Sequence, residues 1–322
     1  TCETGAPLGI ETFDLTTAIP TILNGQLGVS VTFYPSLALA QAGVAGTEIS
    51  TPAAYTNTVA YTQTLGVVLT NIAAGCKSYA TMDLYVNPQP TVLNPTTPLE
   101  ICDDNNDGFG PFDLVADGME HVVGTTVPSG YTIAYYLTQV DADHNDNPIT
   151  VNPYVNNTAY NQTIYATVTD SLGCKITVPL QLVVHDKPIA VAPADYHLCE
   201  QSLGSNTAVF DLTTLNSTIA NGNAMPPHAI HYYEVQANAV PGNMNYIGTP
   251  TAYTVTIPVG GSNIKNIWAL LENTTTGCYD VVAVNLVVEP KPVVPASGFY
   301  PQLATCETGA PLGIETFDLT TA

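Results

Sequence analysis

Repetition at two scales is the feature that most constrains this chain. Thr305 to Ala322 copies Thr1 to Ala18 letter for letter, an offset of 304 residues. Chance does not produce such a match, so the chain reads as one period of a longer tandem array. Inside that period runs a shorter one. Cysteines open each unit at Cys2, Cys102, Cys199 and Cys306, with spacings of 100, 97 and 107. A Phe-Asp-Leu triplet follows at Phe13, Phe112, Phe210 and Phe317. Then come an aromatic pair (Phe33-Tyr34, Tyr135-Tyr136, Tyr232-Tyr233) and a lone tyrosine (Tyr55, Tyr154, Tyr253). A Gly-Cys step closes the series at Cys76, Cys174 and Cys278. A chain built this way stacks small similar domains rather than folding around one core.

Those domains are expected to be β-structured. Ile176, Val178, Leu180, Leu182 and Val184 alternate with mostly polar neighbours, as do Ala80, Met82, Leu84, Val86 and Val282, Val284, Leu286, Val288. Period two gives a strand with one buried and one wet face. Pro179 falls on the wet parity, which predicts an edge strand. The run Thr163 to Asp170 is a second strand, and Ser171 to Cys174 reads as the hairpin turn between them. Thr16-Thr17 and Thr213-Thr214 are expected to cap one short helical turn. Long helical periodicity is absent, and 25 prolines and 24 glycines supply turns. The fold class is therefore all-β, as tandem immunoglobulin-like (PKD-like) β-sandwich domains. Proline linkers place the units at 1–88, 89–186 and 187–290, with 291–322 beginning a fourth. The first unit is expected to lack its opening strand, which a preceding copy of Pro292 to Tyr300 would supply.

The order of motifs resembles the repeats of SprB-type gliding-motility adhesins of Bacteroidetes and the related PKD-like modules of that group's surface proteins. In the second unit the carrying residues are Ile101-Cys102, Phe112 to Leu114, Tyr135-Tyr136 and Ile164 to Cys174. The first unit departs from the pattern, with Gly66 where the second has Tyr165 and the third Trp268, which predicts a looser core there. The resemblance implies export by the type IX secretion system, attachment to the outer surface of the outer membrane, and adhesion during gliding.

Each full unit holds two cysteines, separated by 74, 72 and 79 residues. Pairing within units gives Cys2–Cys76, Cys102–Cys174 and Cys199–Cys278. Closing such a loop stabilises a unit by about 4.5 kcal/mol in the chain-entropy view and points to an oxidising compartment. The alternative is free buried cysteines acting as small hydrophobes. The pairing also demands that both cysteines lie at one end of the sandwich. Four crossings between them satisfy this, and the five of a seven-strand immunoglobulin order do not.

Charge is sparse and one-sided. Five lysines and no arginine face 27 acids, for a net charge of −22. Nothing here neutralises a phosphate backbone, so nucleic acid is excluded as a partner. No stretch approaches the ~18 apolar residues of a membrane helix, so direct membrane insertion is not expected either. The second unit carries twelve of the acids and one lysine. Asp103, Asn105 and Asp107, followed by Gly108, read as the opening half of a calcium loop. The twelfth position is Leu114 rather than a bidentate glutamate, so Asp113 or the Asp141/Asp143 knot would have to complete the shell. Calcium is the one cofactor this pattern suggests. The bland alternative is a hydrated acidic turn. The repeated Asp14, Asp113 and Asp211 fit a different role, accepting backbone N–H groups locally.

No catalytic constellation emerges. The histidines are scattered, and His228 to His231 lacks the glutamate of a zincin. No nucleophile elbow or phosphate loop is present. The 18 tyrosines leave surface polysaccharide open as a partner. Against that, Tyr34, Tyr136, Tyr154, Tyr233 and Trp268 recur at register positions, as core and corner residues do. Asp170-Ser171-Leu172 matches a short O-glycosylation signal of Bacteroidetes, with Ser171 as acceptor. The chain thus reads as a non-enzymatic extracellular shaft whose partners are further copies of the same repeat. Two alternatives stay open: the repeats are themselves binding modules, or edge strands join them into a fibre or sheath.

Overall fold

The structure, a computed structural model, describes residues 1–224 and 227–294, and beyond these only 305, 306, 309, 311, 313, 314, 316 and 317. Two compact bodies result, Thr1–Asp186 and Lys187–Ala322. The first body holds two β-sandwiches and the second holds one.

The second sandwich shows the plan most completely. Its main sheet comprises β6 (Leu99–Asp103), β8 (Thr132–Tyr136), β10 (Asn161–Thr169) and β11 (Lys175–Asp186), in the order β6-β11-β10-β8. β10 is antiparallel to both β11 and β8, whereas β6 runs parallel to β11 with Cys102 opposite His185. The facing layer is a short antiparallel pair, β7 (Pro111–Phe112) with β9 (Tyr154–Val155). Two helices interrupt the strands, α3 (Gly118–Val123) and α4 (Gln139–His144). Phe112, Leu114, Ile164, Leu180 and Leu182 fill the space between layers. Each such burial removes about 1.5–3 kcal/mol of apolar exposure.

The first sandwich repeats the plan with β1 (Thr12–Phe13), β2 (Val29–Tyr34), β3 (Tyr55–Thr56), β4 (Thr62–Asn71) and β5 (Lys77–Tyr85). Its main sheet is β2-β4-β5, and β1 pairs with β3. The opening strand survives as a stub. Cys2 forms a parallel bridge with Asn87, Asn87 N donates to Thr1 O at 2.8 Å, and Glu3 N donates to Asn87 O at 2.8 Å. Its helices are α1 (Ile19–Leu23) and α2 (Leu37–Ala42). The second body has β12 (Tyr196–Cys199), β13 (Thr207–Phe210), β14 (His228–Tyr233), β15 (Tyr253–Thr256), β16 (Ile264–Asn273) and β17 (Tyr279–Glu289). The order is β12-β17-β16-β14, with β13 on β15 and with β12 again parallel to the closing strand. Helix α5 spans Asn216–Ala220.

Several sequence expectations shift. Strand β11 is internal, not an edge. Pro179 is tolerated because β6 joins β11 only from Leu182 onward, so no ladder donor is needed on that side. The caps after Phe-Asp-Leu are the aspartates rather than the threonines. Asp14 Oδ1 accepts from Thr16 N at 2.9 Å, and Asp211 Oδ1 from Thr213 N at 3.1 Å, each opening a 3-10 turn. The opening strands begin only three residues before the cysteine, at Leu99 and Tyr196. The assignment of Pro292 to Tyr300 as such a strand lies, past Val294, outside the described residues. Gly66 is not a gap either. A Cβ placed there would lie 2.5 Å from Ser36 O and 2.8 Å from Ala40 Cβ, so α2 already occupies the space.

Candidate functional site

The parallel pairing of opening and closing strands determines what the cysteines can do. Each opening cysteine sits beside the end of its closing strand: Cys2 at Asn87, Cys102 at His185, Cys199 at Glu289. Each Gly-Cys cysteine sits at the start of that strand, just before Lys77, Lys175 or Tyr279. The two cysteines of one unit are therefore eleven residues of extended chain apart, roughly 35 Å. A disulfide needs Cα atoms within about 7 Å.

The intra-unit bridges Cys2–Cys76, Cys102–Cys174 and Cys199–Cys278 are accordingly not formed. Instead Cys2 of the first sandwich bonds Cys174 of the second, with Cα atoms 5.4 Å apart and a sequence separation of 172 residues. Cys76, Cys199 and Cys306 are free and exposed. Cys102 and Cys278, which hold the opening and Gly-Cys positions of their own units, are each disulfide-bonded. The odd number of crossings turns out to be the correct branch. It puts the two cysteines of a unit at opposite ends, and there Cys2 meets Cys174 of the neighbouring sandwich.

Local chemistry builds both halves of the Cys2–Cys174 junction. On the second sandwich, Asp170 Oδ1 accepts from Leu172 N and Cys174 N, both at 2.9 Å, and Gly173 adopts φ +82°. Asn71 and Asn273 head the equivalent turns, each accepting from two backbone amides two and three residues on. On the first sandwich, Cys2 is fixed by the parallel bridge and by the acid that follows it. Glu3 is buried, and its Oε1 accepts from Gly9 N at 2.6 Å. The linker is also tied down: Leu93 N donates to Val122 O at 2.7 Å and Thr97 N to His121 O at 3.0 Å. A docked linker and a disulfide hold the two sandwiches together side by side in the chain path.

The acid after the opening cysteine is the residue that sequence reasoning missed. Glu3, Asp103 and Glu200 are all buried, and each turns its carboxylate onto amides of its own loop. Asp103 accepts from Asn105 N at 3.0 Å and Gly108 N at 2.6 Å. Burial pushes its carboxyl up, but the amides of Gly108, Asn105, Asn106 and Asp107 outweigh that and leave it below the ordinary aspartate value. Glu200 accepts from Asn206 N and Gly204 N at 2.9 Å and lies below the ordinary glutamate value for the same reason. The available signal was position: every opening cysteine, Cys306 included, is followed by Glu or Asp.

That role also bears on the calcium set. Asp107 accepts from Phe109 N and Asn105 Nδ2, so the 103–107 loop spends its oxygens on itself. Asp113 Oδ1 accepts from Ala116 N and Asn152 Nδ2, at 2.8 Å each, and both bonds hold its carboxyl low. Asp141 accepts from the Thr138 hydroxyl and from Asn147 Nδ2. Asp143 lies at the other end of β11, where its carbonyl accepts from Lys175 Nζ at 3.0 Å, while Asp103 pairs in register with Asp186. The six residues therefore do not converge, and among the described residues no group of three or more acids, histidines or cysteines could hold a metal ion. Ser171 is exposed on the turn beside Cys174. Of the recurring aromatics, Tyr136 and Tyr233 are buried, and Tyr34, Tyr154 and Trp268 are half-buried.

A search of curated proteins returns no match. Among solved structures, domains 3–6 of protocadherin gamma B2 align over 82% of this chain and 68% of theirs, at 8% identity and TM-score 0.20. The human desmocollin-1 ectodomain aligns over 74% and 50%, at 10% identity and TM-score 0.18. Zebrafish RET cadherin-like domains 1 to 4 align over 84% and 67%, at 9% identity and TM-score 0.19. A family described as the Flavobacterium inter-domain disulphide bond domain matches three times, at residues 1–90, 98–188 and 195–292. With three consecutive matches and a bond from one matched segment to the next, the chain belongs to the Flavobacterium inter-domain disulphide bond domain family.

Proposed function

We propose that the chain is a segment of the structural shaft of an extracellular, cell-surface adhesin filament used in attachment and gliding. The observation that carries this reading is the Cys2–Cys174 bond between consecutive sandwiches. A bond that stabilised one domain would close within it; this one spends its energy on the junction. Its rule is simple: the opening cysteine of one unit bonds the Gly-Cys cysteine of the next. By that rule the free Cys199 and Cys76 await further copies of the repeat, one following and one preceding, and every cysteine of the array is used. Such an array belongs in an oxidising, extracellular setting at the outer membrane surface.

Three features favour a shaft over a fibre or a glycan binder. In the second sandwich the sheet edges are short, five residues in β6 and five in β8, with two each in the facing β7 and β9, whereas the first sandwich leaves the nine-residue β5 as an edge. Edges that brief are poor templates for lateral pairing. A net charge of −22 also keeps neighbouring chains apart. The recurring aromatics are buried or half-buried, which leaves sugar stacking to other, exposed tyrosines such as Tyr79 and Tyr85. Calcium has no part in this reading, and Ser171 is a candidate O-glycan acceptor beside the junction.

The test is binding of the disulfide-intact chain to polysaccharides and to glass, with calcium and with chelator. No saturable binding is expected in either condition. Saturable binding would make the repeats adhesive themselves and replace the shaft with the binding-module reading.

A further inference from the structure

The Cys2–Cys174 bond changes the path that tension takes through the protein. Consider a pull between Thr1 and the linker that follows Asp186. Without the bond, force must pass through every residue of both sandwiches. With it, the shortest covalent route is Thr1 to Cys2, across the disulfide to Cys174, then along β11 to Asp186. Everything between Cys2 and Cys174 becomes a closed loop hanging off that route. That loop contains nearly all of both hydrophobic cores, including Leu15, Phe33, Phe112 and Ile164.

We infer that the disulfide acts as a mechanical bypass: load crosses each sandwich along one terminal strand, and the cores never carry it. Strand β11 is suited to this task. It is already extended at roughly 3.3 Å per residue, so pulling it straight adds almost no length. It is also gripped on both sides, along Asn161–Thr169 by β10 and along Leu99–Asp103 by β6. Because β11 is pulled at both of its own ends, tension stays in its backbone, and the ladders hold it in the sandwich without carrying the load. The parallel opening strand completes the design, because the next bond of the same kind starts from its end, at Cys102 opposite His185. Continued by the pairing rule, two covalent routes run the length of the array, alternating between opening and closing strands. The filament therefore keeps its length under tension while disulfides are intact and becomes extensible when they are reduced.

The bypass rests on the Cys2–Cys174 bond and on strand direction, not on adhesion, so a positive or negative binding result leaves it untouched. The experiment is single-molecule pulling on the full chain, with one handle at the N-terminus and one on a clickable residue replacing the exposed Ala192. In reductant, both sandwiches lie on the load path and should open in two steps of about 30 nm each, about 60 nm in all. In oxidising buffer at the same force, neither step should appear. Cys2→Ser should restore at least the step of the first sandwich, about 30 nm, without reductant. A gain of about 60 nm by the oxidised wild-type chain would overturn the bypass. So would a Cys2→Ser chain that stays as short as the oxidised wild type. The reduced wild type guards against misfolding of the variant, since it opens the same path with no substitution.

Discussion

The first and third sandwiches solve one packing problem in opposite ways. At the register position opposite the second residue of the aromatic pair, the first has Gly66 facing Tyr34, and the third has Trp268 facing Tyr233. On Gly66 lies a full helix, α2, its backbone so close that no side chain fits beneath it. On Trp268 there is only a three-residue 3-10 turn, Gln236–Asn238. There Trp268, Tyr279 and Val281 pack against buried Tyr233, Ala239 and Leu270, forming a small second core that replaces the helix. The second sandwich combines the two, with half-buried Tyr165 and a helix, α4, of six residues, the same length as α2. The outer face of the sheet must be covered, and a small residue with a helix or a large one without it serves equally well.

This comparison breaks most sharply if the residues are exchanged. Gly66→Ala should already cost on the order of 2–3 kcal/mol, because the new Cβ meets backbone and not a movable side-chain tip. Gly66→Trp should displace α2 altogether. Conversely, Trp268→Gly removes the body that fills the third sandwich's second core and should cost about 3 kcal/mol. Residue-resolved hydrogen exchange separates these effects, since several sandwiches share the chain and one global transition does not apply. Each variant should lose protection in its own sandwich only. Spread of the Gly66→Ala effect into the third would show that the sandwiches do not behave as separate packing units.

A smaller effect of opposite sign is expected one residue earlier. The first residue of the aromatic pair is Phe33, Tyr135 or Tyr232. The Tyr232 hydroxyl lies 2.8 Å from both Leu212 O and Asn216 Oδ1, so the third sandwich gives its phenol a partner. Tyr135 is equally buried, and its hydroxyl has no hydrogen-bond partner among the described residues. It occupies the notch left by Gly118, and burial pushes its ionisation above the ordinary tyrosine range. Removing a satisfied hydroxyl strands its acceptors, whereas removing an orphan ends a desolvation cost. Tyr232→Phe should therefore destabilise the third sandwich by about 1–2 kcal/mol. Tyr135→Phe should be neutral or stabilise the second by up to about 1 kcal/mol, which would make it resemble Phe33. Denaturant melts of each variant, read by local exchange, decide it; equal losses at both sites would mean that Tyr135 does find a partner.

These contrasts also show where sequence reading succeeds and where it stops. The order of strands was legible because each has a local mark: alternation for the closing strand, the Gly-Cys turn for its hairpin, Phe-Asp-Leu for the short facing strand. The pairing of cysteines was not, because it depends on which end of the sheet each occupies. Antiparallel neighbours are joined by turns that leave residues behind as signals, but a parallel pairing such as β6 on β11 is made by two distant segments and leaves none. The acidic knot misled for a related reason. Asp103 looked like the start of a cation loop, yet the same position holds Glu3 and Glu200 in loops of quite different sequence. Only the structure shows all three bent onto their own amides. Gly66 misled through a habit of counting side-chain volume, when the volume there belongs to a helix from elsewhere in the chain.

The smallest test concerns why the third sandwich has no helix at that site. Helices α2 and α4 are both entered through a hydroxyl: Ser36 Oγ accepts from Leu39 N at 3.3 Å, and Thr138 Oγ1 from Asp141 N at 3.1 Å. The equivalent position in the third sandwich is Val235, which makes no side-chain cap. A capping residue is worth about 1 kcal/mol to a helix start, so Ser36→Ala should cost the first sandwich that much and fray α2. Val235→Ser tests the converse. If the missing cap alone prevents the helix, the substitution should lengthen the 3-10 turn and gain several tenths of a kcal/mol. If Trp268 already excludes a helix by filling the space, Val235→Ser should change nothing by itself and act only in a Trp268→Gly background. The packing of Trp268 on Tyr233 and Leu270 favours the second outcome, because a helix as close as α2 is to Gly66 would need the volume of the indole. Coupling between the two substitutions, measured as a double-mutant cycle, would then show that residue size under the helix, more than its cap, selects which covering each sandwich adopts.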